Sequence, residues 1–437
     1  MIDSFTPARF VEHEARALLT RAARIKPFAL TETTVVAAAF SMRAQAAIEK
    51  LLAHGRHELR RRVTEFIEWL HSPAGVAASA PEIHHRFVFV RLRFNVVLSQ
   101  FDVFSEVMTQ RSEHETGVFL AGLDEVARDA LEVPDLPFDA PPVICYLQRG
   151  QGAAIRRART RLPGGDETPV AIIRVPRERM VGSGIASSLV HEVGHQGAAL
   201  LKLVESLRQA IQARMKSDAA NADVWQHWDR WCSEMMADFW SVARIGIGST
   251  MGLMGVVALP RPFVFRKELD EPHPIPWIRV LLSAAFGSAL YPHQQWNSVA
   301  KTWTAFYPTE GLAPEYRRLI ERLQSTIPAV ARLFAEHRPP ALGGRTLGAS
   351  LGTPDREPAR LTAVFERWQK VPIQMRKARP SLVFAAMGQA RADGRITPES
   401  ESRVLAHLLT AWALNSAVDT SETCAVRTTR RPNVSAA

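Results

Sequence analysis

Ser187-Ser188-Leu189-Val190-His191-Glu192-Val193-Gly194-His195 is the stretch on which the reading of this chain turns. Leu189, Val190 and Val193 are followed by Leu200, Leu203, Val204 and Leu207. That apolar spacing predicts one long helix, opening near Ser183 and running towards Met215. Four residues of α-helix turn through roughly 400°, so both imidazoles leave the same face about one turn apart. Two imidazoles so placed suit a single tetrahedral ion at about 2.0–2.1 Å. Glu192 stands one step round the helix, where it can take a proton from a metal-activated water without ligating the metal itself. The bland alternative is a helix that carries two incidental histidines.

A hydrolytic site of this kind needs a third protein ligand and keeps a fourth position open. The best supplier is Glu234, in Trp231-Cys232-Ser233-Glu234-Met235-Met236-Ala237-Asp238. It falls on the next predicted helix, about Val224 to Ala243, among apolar and aromatic residues where an unpaired carboxylate would be costly to bury. Asp238 lies four residues on and shares its face, placed to accept the free N–H of a ligating imidazole. Read without a metal, the two acids are an exposed pair on an amphipathic helix. His227, seven residues before Glu234, either lines the same cleft or decorates the helix surface.

Outward from this core the texture changes. Residues 1–137 carry long helical periodicities and form an expected helical N-terminal domain, ended by Pro134, Pro137, Pro141 and Pro142. Val143–Leu147 and Val170–Val175 are short β-branched runs and read as strands. The second precedes the metal helix and is either an edge strand able to hold an extended peptide or an interior strand. Ile245 to Leu259, the most apolar run, is too short to span a bilayer comfortably and reads as packed core. Residues 138–337 make the expected catalytic domain, 338–358 a Gly/Pro-rich linker, 359–424 a small helical module and 425–437 a disordered tail. In the last module, Asp393-Gly394 makes a turn, Thr397 caps and Pro398 opens a helix; the pattern lacks the acidic ligands of a calcium loop.

The 437 residues are 46% apolar and 22% charged, which describes a globular chain. The net charge of +10 is spread through helical stretches without interleaved aromatics, which argues against nucleic-acid binding. Three cysteines, Cys145, Cys232 and Cys424, show no C-x-x-C spacing and point to buried thiols in a reducing compartment. With no secretory pattern at Met1–Leu19, the expected location is cytoplasmic.

The pair HEVGH and Glu234-x-x-Ala237-Asp238 resembles the gluzincin metallopeptidases. That resemblance implies an α+β, mostly helical fold with a zincin-like core, a small sheet plus two active-site helices, and flanking helical domains. It implies zinc held by His191, His195 and Glu234, Glu192 as general base, and a peptide or protein substrate. His273-Pro274 with Arg279-Val280 is similar to the H-P-P-x-x-x-R-I segment of the CaaX-prenyl-endopeptidase group, although Ile275 replaces the second proline. On that likeness His273 becomes a candidate oxyanion donor and Arg279 its orienting partner, or that of Glu234. Tyr146, Tyr291 and Tyr307 are alternative donors. The membrane-spanning helices of that group are absent, and the likeness covers roughly residues 142–310.

Two other functions fit the same residues. Two histidines and one carboxylate with open positions also suit non-haem Fe(II) oxygenases. A non-catalytic binding protein on the same fold is the other, although such a protein has no need of Glu192.

Overall fold

Serine and threonine start the helices of the amino-terminal third. Thr6, Ser41 and Ser79 each accept a hydrogen bond from a backbone N–H three residues on, satisfying a donor that the first helical turn leaves free. They open α1 (Pro7–Arg24), α2 (Met42–His71) and α3 (Ala80–Thr109). Apolar residues at helical spacing, among them Leu18, Leu52, Leu59, Phe66, Phe94 and Phe101, are buried where these three pack together. The computed structural model describes residues 6–28, 34–149, 152–162, 165–176 and 182–429.

The architecture is α+β and mostly helical. After α4 (His114–Leu131) come the strands β1 (Val143–Gln148), β2 (Ala154–Arg156) and β3 (Ala171–Pro176). Their order in the sheet is β1-β3-β2, so β3 is the interior strand. Both its edges are paired, and it cannot hold an extended peptide by strand addition. The described residues gather into two compact units. One draws on 1–121, 156–171 and 414–437, the other on 122–155 and 172–413.

The second unit holds α5 (Ser183–Leu200), α6 (Leu203–Ser217), α7 (Ala222–Ile245), α8 (Ile247–Val257), α9 (Pro276–Leu290), α10 (Gln295–Phe306) and α11 (Pro314–Glu336). It also holds α12 (Pro358–Lys370) and α13 (Pro380–Ala392), while α14 (Pro398–Thr429) supplies residues to both units. Its core is rich in tryptophan, and a buried indole usually donates its N–H to a partner. Trp228 donates to Thr326, Trp240 to the Ala130 carbonyl, Trp296 to that of Tyr291 and Trp303 to that of Trp277.

Four expectations change. The single helix expected from Ser183 to Met215 is two, α5 and α6, because Lys202 adopts the left-handed conformation at φ 52°. Residues 338–358 are not an exposed connector. Leu342, Leu347, Leu351 and Arg356 are buried, and the glycines and prolines turn a chain that packs into the second unit. The apolar run from Ile245 is core only in its first half; Val256 and Leu259 are exposed. Helix α14 continues to Thr429, five residues into the expected tail, and residues 430–437 lie outside the described residues. Cys145 and Cys232 are buried free thiols, and burial pushes the Cys232 thiol up to about 12. The side chain of Cys424 lies outside those described. Among the described residues no helix is long and apolar enough to cross a membrane.

Candidate metal centre

Close approach of α5 and α7 builds the site. A Cβ at Gly194 would stand 2.9 Å from the Ala237 backbone, and one at Gly197 would stand 2.4 Å from the Trp240 ring. Glycine at both positions therefore lets α7 lie against the helix that carries His191 and His195. Glu234 and Asp238, one turn apart on α7, face them across that contact. Beyond Ile245 the chain turns at Gly246, φ 56° and ψ −138°, a conformation that only glycine adopts readily.

Glu234 is the centre of the cluster. Its Oε2 lies 3.2 Å from His191 Nε2 and its Oε1 3.4 Å from His195 Nε2. One ligand atom from each of the three residues lies within 4.8 Å of the others. The two imidazole rings stand 4.9 Å apart and nearly perpendicular, at 86°. Behind them, His191 Nδ1 is 2.8 Å from Asp238 Oδ1. Arg279, from the first turn of α9, grips the same carboxylate with two N–H groups, at 2.7 Å and 2.8 Å. Asp238 thus fixes the ring that Glu234 faces, and Arg279 fixes Asp238. The sequence assigned Arg279 to His273 or Glu234. Its shortest bonds go instead to Asp238, and Glu234 lies 3.8 Å away.

Burial and pairing compete at each group. Glu234 is only 8% exposed, which by itself raises a carboxyl pKa. Hydrogen bonds from His191, His195 and His273 outweigh that and hold it far below the usual carboxylate range. Burial likewise acts to raise Asp238, but the Arg279 charge brings it down to about 2. His191 is pushed up to about 9 because Asp238 overcomes the opposing effect of burial. A metal ion held there would have to compete with the proton that Asp238 favours on this ring. Glu192 is 8% exposed and makes no hydrogen bond or ion pair with the described residues. Its charge is felt by the Arg279 guanidinium.

His273 sits in the loop before α9, with Nε2 3.2 Å from Glu234 Oε2. Two residues that sequence reasoning missed hold that loop. Arg266 donates to the backbone carbonyl of His273 at 2.9 Å, and Tyr316 donates to the Arg266 carbonyl at 2.7 Å. A third is Ser233, whose Oγ lies 3.4 Å from His195 Nδ1 and supports the second imidazole as Asp238 supports the first. Its place directly before Glu234 was its only signal. Two of the alternative oxyanion donors are committed elsewhere. Tyr291 is buried with its hydroxyl committed to the Ala243 carbonyl, and Tyr307 donates to that of Leu259. Tyr146 lies on β1 and is half-buried. His227 is half-buried and stacked on Trp231, with burial and Arg230 lowering its pKa; it makes no bond to the cluster.

A scan against protein-family models, a search of curated proteins and a search of solved structures each return no match. Two imidazole nitrogens and one carboxylate oxygen, with a carboxylate behind one imidazole, fit a divalent first-row metal such as zinc or iron.

Proposed function

We propose that the protein is a metal-dependent hydrolase, a zinc peptidase of gluzincin type, whose zincin-like core is the sheet with α5 and α7. One observation carries the reading. His191, His195 and Glu234 each bring a ligand atom within 4.8 Å of the others, and Glu192, which follows His191 on α5, makes no hydrogen bond with the described residues. Zinc bound there supplies a Lewis acid that brings the pKa of a water towards about 7.

The chain's own residues do the rest. Glu192 accepts a proton from the attacking water at its carboxylate and returns it to the departing amine. His273 Nε2 donates a hydrogen bond to the substrate carbonyl oxygen as negative charge grows there, held in place by Arg266. Asp238 and Arg279 keep the His191 ring in one orientation. An iron oxygenase would use the same three ligands, but its chemistry gives Glu192 no part, so a carboxylate at this position supports hydrolysis.

The test uses purified full-length protein loaded with zinc and an unfolded protein substrate, with new amino termini as the readout. Glu192→Gln should keep its metal and lose at least about a hundredfold in rate, as expected when a general base is removed. A Glu192→Gln variant that cleaves at the wild-type rate would end this mechanism.

A further inference from the structure

Helices α10 and α11 both pack on α9, and the three enclose a cavity of about 600 Å³, within the usual range for a small-molecule site. Leu281 and Ala284 of α9, Trp296 and Ala300 of α10, and Ile327 and Ala331 of α11 line it. Three of the six are alanines, so the helices meet without filling the space between them. All but the half-buried Ala300 are buried, and the interior is apolar.

The rim on α11 is different. Gln324, Pro328, Arg332 and Glu336, each four residues from the next, form one exposed row along the cavity. Pro328 stands inside the helix and has no N–H, so the Gln324 carbonyl lacks its helical donor. That carbonyl is an acceptor without its usual bond, on the face that borders the cavity. Arg332 and Glu336 make no hydrogen bond or ion pair with the described residues, not even with each other at a spacing of four. An acceptor, a cation and an anion thus follow one another beside an apolar hollow.

We propose that this cavity binds a small apolar zwitterion, the chemistry shared by an apolar amino acid and an apolar dipeptide. The carboxylate of the ligand pairs with the Arg332 guanidinium, and its ammonium donates to the Gln324 carbonyl. Its aliphatic side chain enters the hollow between Ala284, Ala300 and Ala331. Glu336, one turn beyond Arg332, repels a second carboxylate and so favours an apolar ligand over an acidic one. The interior proline, which weakens a helix, is explained by the acceptor that it exposes.

The inference is independent of the metal centre, and calorimetric titration of the full chain tests it. The Glu192→Gln background keeps cleavage out of the measurement. Leucine or Leu-Leu should bind at one site with a dissociation constant below about 1 mM, and the tighter of the two identifies the source. Their N-acetyl and amide forms, which lack the ammonium or the carboxylate, should each bind at least about tenfold more weakly. Arg332→Gln should weaken the zwitterion to a similar extent and leave the amide unchanged. Pro328→Ala returns an N–H to the Gln324 carbonyl, so it should melt at a higher temperature yet bind less tightly, a result that loss of folding cannot give. Ala289→Phe, at an exposed position on the lining, should abolish binding. Absence of binding by either ligand up to about 10 mM overturns the proposal. So do blocked forms that bind as tightly as the zwitterion, or Pro328→Ala and Ala289→Phe variants that bind as wild type does.

Discussion

Asp238 is held by two groups that need it for different reasons. His191 needs an acceptor to fix its ring, and Arg279 needs a counter-charge because it is itself buried. Replacing Arg279 with Met leaves a buried carboxylate with one partner fewer, and stability should fall by about 3 kcal/mol. Asp238→Asn/Arg279→Met should recover part of that loss in urea unfolding, since neither charge then remains unpaired. Metal affinity should fall by about 10–100-fold in either case, because the imidazole loses its anchor. His191, Glu192, His195 and Glu234 were legible in the sequence because metal ligation on helices imposes a fixed spacing. Ser233 and Arg266 were not. Each acts through a contact that depends on how α5, α7 and the loop before α9 meet, and no spacing rule encodes that.

Among the elements, the α5–α7 contact is the one the site depends on. Gly197→Ala would push a methyl into the Trp240 ring, whereas a methyl at Gly194 would meet backbone that cannot move aside. Overpacking of this kind costs about 1–3 kcal/mol, and both variants should also lose metal as Glu234 is displaced. A melting curve combined with metal content checks it; a Gly194→Ala variant with unchanged metal content would show that the contact has slack. A second contact links α4 to α13. Asp129 accepts from the Ser381 backbone N–H at 2.7 Å and from Arg379 at 2.6 Å. Burial acts to raise its pKa, but the bonds from Ser381 and Arg379 prevail and lower it. A lowered folded pKa means stability that is complete above the ordinary value of about 4 and is lost as pH falls through the folded one. Asp129→Asn should therefore cost about 1–3 kcal/mol at neutral pH, and the difference from wild type should shrink as the pH drops below 4. Most helices were visible from their apolar periodicity. The break at Lys202 was not, because Leu200-Leu201-Lys202-Leu203 contains neither glycine nor proline and tertiary packing overrides its helical preference.

On the scale of the whole molecule, residues 338–413 belong to the compact unit that carries the site. Arg356 donates to the Arg244 carbonyl at the end of α7, and Gly388 packs directly on Gly248 at the start of α8. A chain ending at residue 337 is therefore expected to lose cooperative unfolding, because these contacts and the cover over α7 and α8 go with it. If the truncated chain melts as sharply as the whole, the chain beyond residue 337 is an independent module. Composition misled here for a physical reason. Glycine and proline are signals for turns, and Arg338–Pro358 uses them inside packed structure, where a linker and a buried set of turns share one composition. The net charge of +10 reads the same either way, since arginines such as Arg244 and Arg356 are spent on buried carbonyls rather than on a basic surface.

The central claim is that His191, His195 and Glu234 hold one metal ion, and elemental analysis by mass spectrometry of the protein as purified tests it most directly. One equivalent of a divalent metal per chain is predicted, zinc for a hydrolase, falling sharply in His195→Ala and in Glu234→Ala while both variants remain folded. Wild-type protein without stoichiometric metal, or a Glu234→Ala variant that holds it as fully as wild type, would contradict the account.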